Sequence, residues 1–309
     1  MGSLVDGKWT TRWYSNDAHG RFVREGTQFH GRAVPEAGRY HLYASYACPW
    51  ASRTLIMRKL KGLDAAITVG IVDPFMADDG WAFSETLRDE VNGAAFLRDV
   101  YVKAKPDYSG RVTVPVLWDK REGTIVNNES REIIRMFDHD FAVLSPGAPD
   151  YAPPDLVQAI DHEIDAMYEP VNNGVYRAGF ANTQHAYEEA VGEVFAALDR
   201  YEERLSRQRY LLGSRMTEAD VCLFTTLVRF DPVYHFHFKC NLRRLRDYRN
   251  LWGYVRDVYQ QPGVAETVNL DHIKQHYFRS HPTVNPTRIV PVGPDVDYTT
   301  PHDRARFQN

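Results

Sequence analysis

The residue of this 309-residue chain best suited to chemistry is Cys48, which stands in the run Tyr46-Ala-Cys-Pro-Trp-Ala51. Aromatic and small residues at 40–45 predict a strand before it, and an uninterrupted helical pattern follows from residue 50 to 61. Pro49 suits the first turn of a helix, because its missing N–H would have had no partner there. Since the free N–H groups and dipole of a helix N-terminus favour a thiolate, the pattern predicts a nucleophilic sulfur. A buried structural cysteine is the alternative.

Composition and charge narrow the classes of protein to which the chain can belong. Hydrophobic residues make up 43% and charged residues 25%, the balance of a soluble globular protein. A net charge of −4 argues against the basic surface of a nucleic-acid-binding protein. Without an apolar run of membrane-spanning length or the order of a signal peptide, we expect no membrane association and a cytoplasmic location. Cys222 and Cys240 add neither disulfide nor zinc spacing, which fits a reducing compartment.

Two pairs of histidines are candidate metal ligands. His235 and His237 lie close together in the sequence, and His272 and His276 are spaced to share a helix face. Neither pair has a cysteine or carboxylate at a recognised ligand spacing. The sequence therefore predicts no metal site and gives these histidines solvated or hydrogen-bonded structural roles.

The elements that must position Cys48 follow an α/β pattern. Lys61-Gly62 predicts the end of the first helix, and Ile67–Val72 is a β-branched strand, so a parallel, right-handed βαβ unit is expected. A helix is predicted at about 92–104. Residues 112–118 and 123–126 flank a polar turn and predict a hairpin.

Pro115 interrupts the first strand of this hairpin. A proline there argues against a regular central strand, and a cis peptide bond in a turn is one solution. Asn127-Asn-Glu-Ser130 then supplies the capping chemistry of a new helix.

The chain divides at a proline-rich linker. An extended N-terminal arm at 1–39, which carries Trp9, Trp13 and Phe22, precedes an α/β domain at 40–140. The linker at 141–154 leads to a domain at 155–281 with helical patterns at 155–169, 183–206, 217–230 and 244–260, followed by an extended tail at 282–309. Thr217-Glu-Ala-Asp220 resembles a capping box with a purely structural role.

This order, a thioredoxin-like domain followed by an all-α domain, resembles the glutathione transferase fold, with Cys48-Pro-Trp-Ala51 in place of a Cys-x-x-Cys motif. The chain is most similar to the glutathionyl-hydroquinone reductases, the Xi class of that family. The residues that carry the resemblance are Tyr46–Ala51, Gly80-Trp81, Gly110–Trp118, Asn127–Ser130, Val171–Phe180, Arg229–Tyr234, His237–Arg244 and Ser280–Pro286.

The resemblance implies a role for each of a set of residues. Cys48 would be the nucleophile. Glutathione, the cosubstrate, would be held by Trp81, Arg111, Val114, cis-Pro115, Glu129 and Ser130. The pocket for a glutathionylated aromatic molecule would contain Tyr176 and Tyr277, which would also act in catalysis, with Tyr168 a further candidate. The family also implies a homodimer.

Two other functions remain open at this point. An omega-like thioltransferase or dehydroascorbate reductase uses the same Cys-Pro start, although the motifs in the second half of the chain favour the hydroquinone enzyme. A non-catalytic binding or assembly module with this fold is the other alternative. An intact Cys48, Arg111 and Glu129-Ser130 argue against it.

Overall fold

Two compact units make up the structure, a computed structural model that describes residues 2–11 and 15–307. Trp13 lies outside the described residues. The first unit comprises residues 2–11, Arg24–Pro149 and Thr267–Ser280, and the second comprises Ser15–Val23, Asp150–Glu266 and 281–307.

The first unit is built on two small sheets and the helices beside them. Its elements, in chain order, are β1 (Ser3–Val5), β2 (Lys8–Thr10), β3 (Tyr40–Ala44), α1 (Pro49–Leu60), β4 (Ile67–Ile71), α2 (Leu97–Ala104), β5 (Gly110–Arg111), β6 (Val116–Asp119), β7 (Thr124–Asn127) and α3 (Ser130–His139). The larger sheet has the order β4-β3-β6-β7, and the smaller has the order β2-β1-β5. Strands β3 and β4 are parallel, and β6 is antiparallel to both β3 and β7. The predicted βαβ unit and hairpin are confirmed.

The ends of α1 follow from its sequence. Cys48 occupies the N-cap position in an extended conformation, and Pro49 is the first helical residue. At the other end, Gly62 adopts φ +62°, a left-handed conformation that costs glycine little, and its N–H donates to the carbonyl of Lys59 at 2.9 Å. The predicted C-terminal glycine is therefore confirmed.

A buried ion pair joins α1 to α3. The Nζ of Lys61 lies 2.8 Å from Oδ1 of Asp138, and both side chains are almost completely buried. The same ammonium group donates to the carbonyl oxygen of Pro149 at 2.7 Å. Because an unpaired charge here would be costly, these contacts fix the C-terminal ends of the two helices together.

Three expectations for the first unit were wrong in detail. The helix predicted from about residue 92 begins at Leu97, because Asn92-Gly93 forms a turn with a positive φ at the glycine. Of the strand predicted at 112–118, only residues 116–118 lie in a strand, β6, whereas residues 112–115, which include Pro115, belong to neither β5 nor β6. The hairpin β1–β2 was not expected in the N-terminal arm. The cis bond between Val114 and Pro115 is confirmed.

Helices dominate the second unit. They are α4 (Val157–Met167), α5 (Gly174–Phe180), α6 (Gln184–Leu205), α7 (Glu218–Leu227), α8 (His235–His237) and α9 (Arg249–Tyr259). Two π-helical turns, Tyr168–Asn172 and Phe230–Tyr234, continue α4 and α7. Helix α5 was not expected. A Cβ at its Gly179 would lie 2.1 Å from the ring of Phe238, so only glycine allows this close approach.

The chain then adds one helix to the first unit and an extended tail to the second. Helix α10 (Leu270–Ser280) was not expected either. In the tail, Tyr298 and Arg304 are buried, and the hydroxyl of Tyr298 donates to the carbonyl of Val228 at 2.8 Å. Among the helices of the described residues, none combines the length and apolar composition needed to cross a bilayer.

Candidate active site

Cys48 lies at the junction between β3 and α1, and its side chain is half-buried. Its sulfur is 3.6 Å from the carbonyl oxygen of Val114, the residue before cis-Pro115. Its own carbonyl accepts the N–H of Ser52 at 2.9 Å, a bond of the first helical turn. The structure therefore brings together Cys48, Val114 and Pro115, as the sequence analysis predicted.

Two guanidinium groups lie close to the indole ring of Trp50, which is two residues after Cys48. The Cζ of Arg24 is 4.3 Å from the centre of the indole ring, and that of Arg53 is 5.6 Å from it. Both are cation–π distances. The two arginines therefore place positive charge beside the first turn of α1.

Glu129 and Ser130 form the N-terminus of α3. Glu129 is the N-cap, and its Oε1 accepts the N–H of Arg131 at 3.2 Å. Its Oε2 accepts the hydroxyl of Thr27 at 3.1 Å, and Arg53 donates to Oγ of Ser130 at 3.4 Å. A carboxylate beside a helix N-terminus can bind an ammonium group, while the helix N–H groups receive a carboxylate. This pair of groups matches the two charges of an α-amino acid.

Arg111 lies on β5 and is 7% exposed. Its Nε and Nη2 each donate to Oε1 of Glu25 at 3.2 Å, and its Nη1 donates to the carbonyl of Gly2 at 3.3 Å. The N-terminal arm therefore contacts the guanidinium group to which the resemblance gives a role in binding glutathione.

Trp81 is 6% exposed, and its ring stacks on the imidazole of His276 with 4.7 Å between the ring centres. His276 lies on α10, and its Nδ1 is 2.9 Å from the carbonyl oxygen of Pro74. The stacking of Trp81 on glutathione stays a prediction.

The candidate tyrosines belong to different units. Tyr176, on α5, is half-buried among the rings of Phe180, Tyr234 and Phe238, with ring centres 5.4 to 6.1 Å away. Tyr277, on α10 of the first unit, is 1% exposed. Tyr168 begins a π-helical turn of the second unit. Their roles stay predictions.

Two further cysteines and two histidines are buried in the second unit. Cys222 and Cys240 are buried in the second unit, and burial raises the pKa of the Cys240 thiol well above its ordinary value. His237 and His281 are joined by a hydrogen bond of 3.0 Å between ring nitrogens.

Sequence reasoning missed three residues around this site, namely Glu25, Thr27 and Arg53. Glu25 and Thr27 are 86 and 102 positions away from their partners Arg111 and Glu129, so no local pattern could have paired them. For Arg53, the sequence offered one signal, namely a charged residue on the predicted first helix. The structure shows that the N-terminal half of this helix is buried.

Comparison with known proteins identifies the family. Family models for the glutathione S-transferase N-terminal and C-terminal domains match residues 47–140 and 184–257. The glutathionyl-hydroquinone reductase YqjG of Escherichia coli (strain K12) is 52% identical over 99% of this chain and 100% of its own length. A Xi-class transferase from Natrialba magadii has a structure that matches with a TM-score of 0.94 and 52% identity, over 99% of this chain and 97% of that one.

The chain belongs to the Xi class of the glutathione transferases. A further structure, glutathione-bound YqjG from Escherichia coli K-12, matches this Xi-class transferase with a TM-score of 0.89 and 54% identity, over 97% of this chain and 98% of that one. The predicted fold class, a thioredoxin-like α/β domain followed by an all-α domain, is confirmed.

Proposed function

We propose that this Xi-class transferase uses glutathione to reduce S-glutathionyl-hydroquinones to hydroquinones. The observation that carries the proposal is the position of Cys48, half-buried at the N-terminus of α1 with its sulfur beside the Val114 carbonyl. The similarity of the whole chain to a glutathionyl-hydroquinone reductase supports the choice of substrate class.

In the first step, the Cys48 thiolate attacks the sulfur of the S-glutathionyl-hydroquinone. A disulfide bond forms between Cys48 and glutathione, while the bond between that sulfur and the aromatic carbon breaks. The electron pair of the broken bond stays on the carbon, which takes up a proton, and the hydroquinone leaves. Tyr176 and Tyr277 are our candidates for this proton transfer or for hydrogen bonds to the quinol oxygens, because a phenol can donate in either way.

In the second step, a glutathione thiolate attacks the Cys48 disulfide, which releases oxidised glutathione and restores the Cys48 thiolate. An external thiol is needed because Ala51 stands where a Cys-x-x-Cys motif has its resolving cysteine. In sum, one glutathione and one S-glutathionyl-hydroquinone give one hydroquinone and one oxidised glutathione. Kinetics of the ping-pong type follow from the covalent intermediate.

Glutathione would be held along the first unit. Glu129 and Ser130 would receive its γ-glutamyl end, Val114 would bond its cysteinyl backbone beside Pro115, and Arg111 would pair with a carboxylate. Trp81 would contact the tripeptide. A homodimer and a cytoplasmic location also belong to the proposal. The homodimer rests on the resemblance to the family, and the location rests on the sequence.

Mass spectrometry of the intact protein tests the covalent step. After the protein is mixed with an S-glutathionyl-hydroquinone in the absence of free thiol, we expect a mass increase of one glutathione on Cys48. An unmodified protein beside unchanged substrate would contradict the proposal and favour a binding module.

Replacement of Cys48 provides the second test. We expect Cys48→Ser to abolish reduction, because a serine hydroxyl is not ionised near neutral pH and cannot form the disulfide. The matched control is Cys240→Ala, since the buried Cys240 thiol should be dispensable for chemistry. Hydroquinone release by Cys48→Ser at the wild-type rate would refute the mechanism.

Disulfide exchange of the omega type is a second candidate. A relative from Schizosaccharomyces pombe that is 46% identical over 93% of this chain carries the name glutathione S-transferase omega-like 2. The same Cys48 would serve this reaction. The ratio of kcat/KM for an S-glutathionyl-hydroquinone to that for a small mixed disulfide or dehydroascorbate distinguishes the two activities.

A further inference from the structure

The N-terminal arm is fixed to the first unit just after Glu25. The side chain of Gln28 donates to the carbonyl of Ser109 at 2.7 Å, and the N–H of Phe29 donates to the Asn128 side chain at 3.0 Å. Two residues further on, the N–H of Gly31 donates to the carbonyl of Val126 at 2.8 Å. The backbone of the arm is therefore anchored beside β7 and the start of α3.

Glu25 itself has a different environment. Its side chain is 50% exposed, whereas that of Arg111 is 6% exposed. The hydrogen bonds that Nε and Nη2 of Arg111 donate to Glu25 converge on one carboxylate oxygen, and each is 3.2 Å long. Charge-assisted bonds of this kind are normally about 2.7–2.9 Å, and a bidentate pair uses both oxygens. The ion pair between Glu25 and Arg111 is thus weak enough for another carboxylate to take the place of Glu25.

Arg111 requires a counter-ion for a physical reason. A buried guanidinium group without a negative partner is strongly destabilising. The same group is the one expected to pair with a glutathione carboxylate. Because the γ-glutamyl end is assigned to Glu129 and Ser130, the carboxylate that remains is that of the glycine residue.

We propose that Glu25 is an affinity-determining residue that occupies the glycine-carboxylate position on Arg111 and must leave when glutathione binds. This inference rests on the proposed function for the identity of the thiol. Glu25 neutralises Arg111 in the ligand-free protein and competes with carboxylate-bearing thiols. A thiol that lacks this carboxylate does not displace it and gains nothing from Arg111.

The test is the variant Glu25→Gln, with binding of reduced glutathione measured by isothermal titration calorimetry at neutral pH and low ionic strength. The amide keeps the shape of the side chain and removes the competing charge. We expect the dissociation constant to fall about two- to fivefold, the effect of a half-exposed ion pair. The glycyl ethyl ester of glutathione, which has no carboxylate at that end, should bind wild type and variant equally.

Glu36→Gln is the matched control. Glu36 lies on the same arm, has a comparable exposure and forms ion pairs with Arg39 and Arg121. We expect this variant to bind glutathione as wild type does.

Three results would overturn the inference: unchanged or weaker binding of glutathione by Glu25→Gln, equal tightening of the ester, or no binding of glutathione by the wild-type protein. Reductase activity of the same wild-type sample reports on the proposed function separately. A protein that binds glutathione more tightly as Glu25→Gln but reduces no S-glutathionyl-hydroquinone would keep this inference and lose that function.

Discussion

Individual side chains of the first unit are held by partners far away in the sequence. Thr27 donates to the Glu129 carboxylate, and Arg53 donates to Ser130, at distances of 3.1 and 3.4 Å. Each contact restricts the rotamer of a side chain that is expected to bind glutathione. A site whose side chains are already restricted loses less conformational entropy on ligand binding than a site with mobile side chains.

His41 shows how burial of a single residue affects stability. It is 3% exposed on β3, and its Nδ1 lies 2.7 Å from the hydroxyl of Thr68. At its other edge, a Cβ on Gly70 would lie 2.6 Å from Nε2, so the ring fits closely over that glycine. Burial lowers the pKa of His41 from 6.5 to about 4, partly opposed by the nearby Asp89 carboxylate and assisted by Lys120 and Arg58.

We therefore expect the free energy of unfolding to fall as the pH falls from 6.5 to about 4. In that window the unfolded chain binds a proton at His41 and the folded chain does not, so acid favours unfolding by up to about 3 kcal/mol. Urea denaturation over a pH series measures this slope.

His41→Gln should flatten the slope because it removes the titrating group. His185→Gln, at an exposed position, is the control for the replacement of a histidine by glutamine. Equal slopes in His41→Gln and wild type would contradict the assignment.

How far the sequence predicts the site depends on the range of the contacts. The position of Cys48 and Pro49 was predictable because strand, cap and helix signals lie within a few residues of one another. The residues alone left the cis bond at Pro115 as one of several solutions, and the resemblance to the family implied it. The partner of Arg111 was not predictable, because Glu25 lies in an arm without hydrophobic periodicity. Trp81 was assigned to glutathione on the resemblance alone, and its stacking partner lies on α10, a helix that the sequence analysis did not include.

At the scale of elements, several capping and functional residues lie at the ends of helices. The N-cap residues of α1 and α3, Cys48 and Glu129, each have a proposed role in chemistry or binding. α7 begins with the predicted capping box, which is confirmed, between Thr217 and Asp220. Such caps are local, so the sequence reveals them. By contrast, α5 contains Gly174 and Gly179, whose low helix propensity is outweighed by tertiary packing.

The capping residue Asp220 has a measurable effect on stability. Its Oδ2 accepts the N–H and hydroxyl of Thr217 at 2.8 and 3.0 Å, and its Oδ1 accepts the N–H of Leu211 at 2.9 Å and the hydroxyl of Tyr254 at 3.0 Å. Asp220→Ala leaves these buried donors without an acceptor. We expect it to lower the free energy of unfolding in urea by about 3 kcal/mol.

Asp247→Ala is the matched control for this cap. Asp247 caps the short turn Leu245–Asp247 through exposed contacts with Arg244. Surface substitutions of this kind change stability by about 0.5 kcal/mol or less. Similar losses in the two variants would show that the buried network at Asp220 is not what stabilises α7.

At the scale of the whole molecule, the C-terminal tail packs against the second unit, to which it belongs. The C-terminal tail contains a buried arginine. Arg304 is 0% exposed, its Nη1 donates to the carbonyl of Leu205 at 2.6 Å, and its Nη2 donates to the carbonyl of Arg209 at 2.7 Å and to that of Gln208. These carbonyls lie at and after the C-terminal end of α6, where helix carbonyls lack intrahelical partners.

We expect Arg304→Met to lower the free energy of unfolding by about 3 kcal/mol, because it leaves buried carbonyl groups without donors. Limited proteolysis should also cleave its tail faster than that of wild type. Arg306→Met is the control, since Arg306 lies in the same turn, is about one-third exposed and pairs with Asp303. A tail equally resistant in Arg304→Met and wild type would contradict this anchoring role.

The buried pair of Lys61 and Asp138 has a consequence for the selection of the thiol. It ties together the far ends of the two helices whose opposite ends carry Cys48 and Ser130. We therefore expect helix packing, and not each ligand, to set the distance between the Cys48 sulfur and the N-terminus of α3, to which we assign the γ-glutamyl end of glutathione. Under the proposed function, a tripeptide thiol would reach both points, whereas a shorter thiol such as free cysteine would reach only one.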